Sequence, residues 1–166
     1  MKNKSKNNVA IIIGSDSDLN IAEKSAEVLK KLNINYEIHI ISAHRTPERA
    51  REFAKSAHEK FNIIIAIAGK AAHLAGVLAS YTLIPVIGVP VKSDDLGGLD
   101  ALLSTVQMPS GIPVAAVAIN GGANAAWLGA RILALNDEEL FLKLQDEINF
   151  MNKNIIEKDK KLNGQL

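Results

Sequence analysis

Three short polar loops hold most of the residues able to do chemistry in this chain. They read Gly14-Ser15-Asp16-Ser17-Asp18, Ser42-Ala43-His44-Arg45-Thr46 and Gly69-Lys70-Ala71-Ala72-His73. In the first, glycine lets a ligand approach the backbone, and the free N–H groups of a following helix favour an anion. Ser15 and Ser17 can donate to phosphate oxygens. A carboxylate repels phosphate, so Asp18 suits ribose hydroxyls as an acceptor. The alternative is a helix N-cap formed by Ser17 or Asp18, with no ligand. The spacing is neither the dinucleotide fingerprint nor a Walker A loop.

The second loop is more specific. Arg45 can grip phosphate bidentately, and Ser42 adds a donor. His44 stands at a strand end beside an arginine, which is not a core position. An imidazole both takes and gives a proton near neutral pH. A lone histidine more often caps an element or lies on the surface; these neighbours favour proton transfer. In the third loop, Gly69 and Ala71 leave room for a flat ring, and helix N–H groups near Leu74 can hold a carboxylate. His73 is either a second proton carrier or a loop-fixing hydrogen-bond partner, with the structural role favoured. Lys70 is either a substrate contact or a solvated side chain. The set suits a small, phosphorylated, hydroxylated substrate.

These loops need elements to position them. Five apolar runs read as strands: Val9–Ile13, Tyr36–Ile41, Ile63–Ala68, Pro85–Val89 and Val114–Ile119. Most are continuous rather than alternating, as expected for parallel strands covered on both faces. Leu19, Ala22, Ala26 and Leu29 recur at helical spacing. Thr46-Pro47-Glu48 reads as a cap with proline at the first helical position. Ala72–Tyr81 reads as a buried helix and Asn124–Leu135 as a further crossover helix. Alternating strands and helices predict a doubly wound, flavodoxin-like three-layer α/β/α sandwich with a parallel five-stranded sheet. Such sheets bind ligands at the carboxyl ends of their strands, so neighbouring strands would bring the three loops into one crevice.

Residues 9–136 read as one catalytic domain behind a frayed segment 1–8. From Asp137 to residue 166 the chain reads as a long C-terminal helix of the same domain, frayed beyond about Lys158. Its stripe of Leu140, Leu144, Ile148, Met151 and Ile155 must cover its own subunit or a neighbour. Val91–Asp100 reads as a mobile flap or a subunit contact. His39 and His58 read as structural. No cluster has metal-ligand spacing.

Composition narrows the class. The 166 residues carry 19 basic and 18 acidic side chains, a balance that argues against a nucleic-acid or membrane face. Aromatics at 4% are too few for base-stacking platforms. The absence of cysteine excludes thiolate catalysis and disulfides. No run is long enough to span a bilayer, and Val9–Ile13 is too short for a signal segment. A cytoplasmic location is expected.

With these loops in view, the chain resembles the class I N5-carboxyaminoimidazole ribonucleotide mutases of purine synthesis, from about Val9 to Leu135. The likeness rests on Gly14-Ser15-x-Ser17-Asp18, Ser42-Ala43-His44-Arg45-Thr46-Pro47 and Ala68-Gly69-x-Ala71-Ala72-His73-Leu74. Gly88-Val89-Pro90-Val91, Val106–Val114 and Asn124-Ala125-Ala126 add to it. The resemblance implies a flavodoxin-like homo-octamer. It implies that Ser15, Asp18 and Arg45 contact the ribose phosphate, that His44 is the general acid/base, and that Ser42 and Gly69–Leu74 line the base and carboxylate pocket. It implies no metal, ATP or organic cofactor. Many relatives carry glycine where Lys70 stands and proline where Ala75 stands, and the loop Asn120–Ala123 is shorter than in some. The class II carboxylases, which use free carbon dioxide, usually carry lysine after the histidine and a different third loop. A non-catalytic nucleotide-binding module on the same fold is the rival from another class.

Overall fold

The runs of β-branched residues become the strands of one sheet. The computed structural model describes residues 7–164. Its strands are β1 (Asn8–Ile13), β2 (Asn35–Ile40), β3 (Ile63–Gly69), β4 (Val86–Val91) and β5 (Ala115–Ala116). They pair in parallel in the order β2-β1-β3-β4-β5. Every residue of β1 is buried, as are Ile63–Ile67 of β3, because helices cover both faces. The helices are α1 (Leu19–Lys31), α2 (Pro47–Ser56), α3 (Leu74–Ala79), α4 (Leu99–Val106), α5 (Gly122–Ala134) and α6 (Glu138–Asn163). Val9, Ile11 and Ile13 pack against α1, α5 and the start of α6, whereas Ala10 and Ile12 pack towards α2 and α3. This is the three-layer, flavodoxin-like sandwich.

α1 and α5 approach closely because position 122 carries no side chain. A Cβ on Gly122 would stand 2.2 Å from the Ile21 carbonyl oxygen. The buried Ser25 hydroxyl donates to the Gly122 carbonyl at 2.8 Å, satisfying both groups at the crossing.

Several elements differ from expectation. Residues 1–6 lie outside the described residues, but Asn8 is the buried first residue of β1, so the strand starts one residue early. β5 keeps only two residues of the expected six. Pro90 of β4 has no N–H to give on that side, and its carbonyl instead accepts from Asn120 at 2.8 Å, so the ladder ends. α3 covers only Leu74–Ala79 of the expected 72–81. The sequence pattern assigns no helix to 99–106, where α4 lies against β4. α6 runs on to Asn163, past the expected fraying point. Asp137 caps it by accepting from the Leu140 amide at 3.2 Å. Leu140 and Leu144 are 3% and 6% exposed, whereas Ile148, Met151 and Ile155 are 41%, 44% and 65% exposed. The stripe covers its own subunit at one end and is bare at the other. No helix is long and apolar enough to cross a membrane among the described residues.

Candidate active site

β2, β1 and β3 are neighbours, so the three polar loops leave the sheet at the same edge. They open on a cleft of about 680 Å³. Ser15, Ser17, Asp18, Ser42, His44, Arg45, Gly69, Lys70, Ala71, His73 and Leu74 all line it. Ala43, Ala68, Val91, Lys92 and Ser93 line it as well, and residue type alone does not mark them as site residues. The last three follow or end β4, and the strand-end rule that locates the other loops points to them too.

In the first loop the backbone is fixed by the Gly14 amide, which donates to the Ile67 carbonyl of β3 at 3.0 Å. The expected side-chain cap is absent: α1 begins at Leu19 with no side-chain hydrogen bond from Asp18. Instead the Ser17 hydroxyl donates to Asp18 Oδ1 at 3.3 Å, and the Ser15 hydroxyl to Asp16 Oδ1 at 3.0 Å. Asp18 is buried, and that burial raises its pKa above the ordinary carboxylate value. Bonds from Ser17 and the Ser15 backbone, and the charge of Arg45, oppose the rise.

The second loop turns on Ser42. Its hydroxyl accepts from the Arg45 amide at 3.1 Å and from Arg45 Nε at 3.3 Å. Arg45 Nη2 donates to the Gly14 carbonyl at 2.8 Å, tying the second loop to the first. The rest of the guanidinium fork remains available for an anion. Pro47 does occupy the first turn of α2, but the Thr46 hydroxyl turns back to donate to the Ser42 carbonyl at 2.9 Å.

His44 Nε2 and His73 Nδ1 are 3.0 Å apart, with the rings crossing edge to face. One ring donates and the other accepts, so the contact ties the tautomers of the pair together and orients both. Both side chains are solvent-accessible in the cleft, as proton carriers must be. Lys70 has a left-handed backbone at φ 54° and donates through Nζ to Asp95 at 2.8 Å. Hydrogen bonding and charge from Asp95 raise the Lys70 pKa, and the same pairing lowers that of Asp95. His39 packs beside Phe53 and Phe61, and His58 bonds the Lys55 carbonyl; neither lines the cleft. No group of three metal-ligating side chains occurs among the described residues.

A guanidinium fork, a buried carboxylate and a paired imidazole share one cleft, a set whose chemistry suits an anionic, hydroxylated substrate and a proton transfer. Known proteins share this sequence and fold. The AIR carboxylase family model matches residues 8–154, reaching well into α6. A Pyrococcus horikoshii protein named N5-carboxyaminoimidazole ribonucleotide mutase is 56% identical over 155 residues, covering 93% of this chain and 88% of its own. The Escherichia coli K12 protein of that name is 51% identical over 148 residues, covering 86% and 88%. The crystal structure of Treponema denticola PurE matches at TM-score 0.86 and 37% identity, over 93% of this chain and 98% of that one. The chain is a member of the AIR carboxylase family.

Proposed function

We propose that this protein is an isomerase of purine biosynthesis. It moves a carboxylate from the exocyclic nitrogen of N5-carboxyaminoimidazole ribonucleotide to ring carbon 4, giving 4-carboxy-5-aminoimidazole ribonucleotide. The observation that carries the reading is the imidazole of His44, held 3.0 Å from His73 in the same cleft as the Arg45 fork. The names of relatives more than half identical support it.

In this reading Arg45, Ser15 and Ser17 grip the phosphate, and Asp18 accepts from ribose hydroxyls. Ser42, Gly69, Lys70, Ala71 and Leu74 surround the base and its carboxylate. His44 gives a proton to the exocyclic nitrogen as the N–C bond breaks and carbon dioxide leaves. Ring carbon 4 attacks the retained carbon dioxide, and a C–C bond forms. The C4 proton then passes to the neutral imidazole of His44, restoring aromaticity and the protonated ring that began the cycle. His73 orients His44 and shares its proton. Retention works by proximity and exclusion of water. The 9–136 unit with its C-terminal helix assembles, in this reading, as a cytoplasmic homo-octamer that uses the bare end of the α6 stripe.

The test is an ultraviolet assay on purified protein. Conversion of the N-carboxylated nucleotide without bicarbonate, and no conversion of the uncarboxylated one with it, is expected. The reverse pattern makes the protein a class II carboxylase. Binding without conversion of either makes it a nucleotide-binding module.

A further inference from the structure

Lys70 occupies a backbone conformation that favours glycine, at φ 54°. A long cationic side chain there costs strain, and its ammonium donates to Asp95, 25 residues further along the chain. Asp95 is at the tip of the loop between β4 and α4. That loop is anchored at both ends. At one, the Lys92 amide donates to Asn120 Oδ1 at 2.9 Å. At the other, Gly98 is wedged so that a Cβ would lie 2.9 Å from Ile119 and 3.0 Å from the Lys92 backbone. Between the anchors, Gly97 has a left-handed φ of 64°, and a Cβ there would meet nothing within 4 Å, so it can pivot. The Ser93 hydroxyl is shielded from solvent without a partner, a cost that opening would relieve. Lys92, Ser93 and Lys70 all line the cleft.

We propose that Lys70 is a positioning residue that latches the 93–97 loop against the cleft through Asp95. The latch opposes the hidden Ser93 hydroxyl, so the loop is poised between closed and open. Its use in retaining carbon dioxide rests on the mutase reading; the latch itself does not. Asp94 and Asp100 also attract Lys70, which limits what removing Asp95 alone can do.

Hydrogen exchange at the amides of residues 93–97 in the full-length protein decides the latch. Asp95→Asn is expected to speed exchange up to about fivefold at low salt, the ceiling for an exposed pair. At 1 M salt the variant and wild type should converge, because screening removes the same attraction. The swapped pair Lys70→Asp with Asp95→Lys should restore slow exchange, since aspartate tolerates a left-handed backbone. Equal exchange in Asp95→Asn and wild type at low salt, or no restoration by the swap, overturns the latch. Both residues are exposed, so neither change threatens folding. The catalytic use is read from the decarboxylated nucleotide released per product formed. That ratio should rise in Asp95→Asn and return in Asp95→Glu. An unchanged ratio with faster exchange overturns the catalytic use. A wild type that converts no substrate sinks the mutase reading and leaves the exchange result to judge the latch.

Discussion

The cleft and the C-terminal helix satisfy their side chains in opposite ways. In the cleft, Ser42 and Arg45 tie the second loop to Gly14 of the first, and His44 ties it to His73 of the third. A single chain completes that network. In α6, Leu140 and Leu144 find a core, but Ile148, Met151 and Ile155 of the same stripe stay exposed. Lys31 pairs with Glu147 beside the last covered turn, and Phe150 and Ile156 add further bare apolar surface beyond it. Ser42, Arg45, His44 and His73 thus find polar partners in neighbouring loops, while the far end of the α6 stripe lies bare on its own chain.

The contrast can be broken from the cleft side first. His44→Asn keeps a hydrogen-bonding side chain near His73 but cannot carry the proton. Turnover should fall by about 10²–10⁴-fold, the span of general acid–base catalysis, with nucleotide affinity largely kept. Steady-state kinetics beside calorimetry checks it, and unchanged turnover removes His44 from the chemistry.

From the helix side, Leu144→Ala should destabilise the fold by about 2–5 kcal/mol in urea unfolding. Ile155→Ala should change subunit stability by less than about 0.5 kcal/mol while weakening assembly in light scattering. Equal losses of stability at both positions would show that the stripe is buried along its whole length within one subunit.

Arg45→Ala sharpens the picture of the cleft. Losing a charge-assisted pair should weaken nucleotide binding by about 1.5–3 kcal/mol. Calorimetry with wild-type affinity would exclude the phosphate contact.

The smallest expected effect is a change in pH dependence. Burial raises the Asp18 pKa in the folded state above its ordinary value, so the folded protein holds that proton more tightly than the unfolded chain. Its contribution to stability is therefore lost as pH climbs from the ordinary carboxylate range through the raised native value. Asp18→Asn should lack that slope and gain on the wild type as pH rises. Parallel urea curves across this window would show that Asp18 titrates alike in both states.

Much of the fold is legible in local pattern. The isoleucine-rich runs of β1 and β3 are buried on both faces, and continuous β-branched residues signal that. The three cleft loops converge because their strands are neighbours. What escapes local pattern depends on partners distant in sequence. β5 stops because Pro90 of another strand cannot donate a hydrogen bond. α4 is eight residues following two glycines, too short for a periodic stripe to stand out. Ser17 and Asp18 carry capping side chains, yet the first turns its hydroxyl to the second rather than to the helix. The Lys70–Asp95 pair joins two loops that only the β3–β4 pairing brings together.

The most direct test follows one carbon atom. Purified protein is given nucleotide carrying ¹³C in its N-carboxylate, in buffer with unlabelled bicarbonate, and the product carboxylate is read by mass spectrometry. Transfer within a closed cleft predicts that the label stays in the product throughout early turnover. Product carrying mainly unlabelled carboxylate would contradict it, because the carbon would then have come from solution.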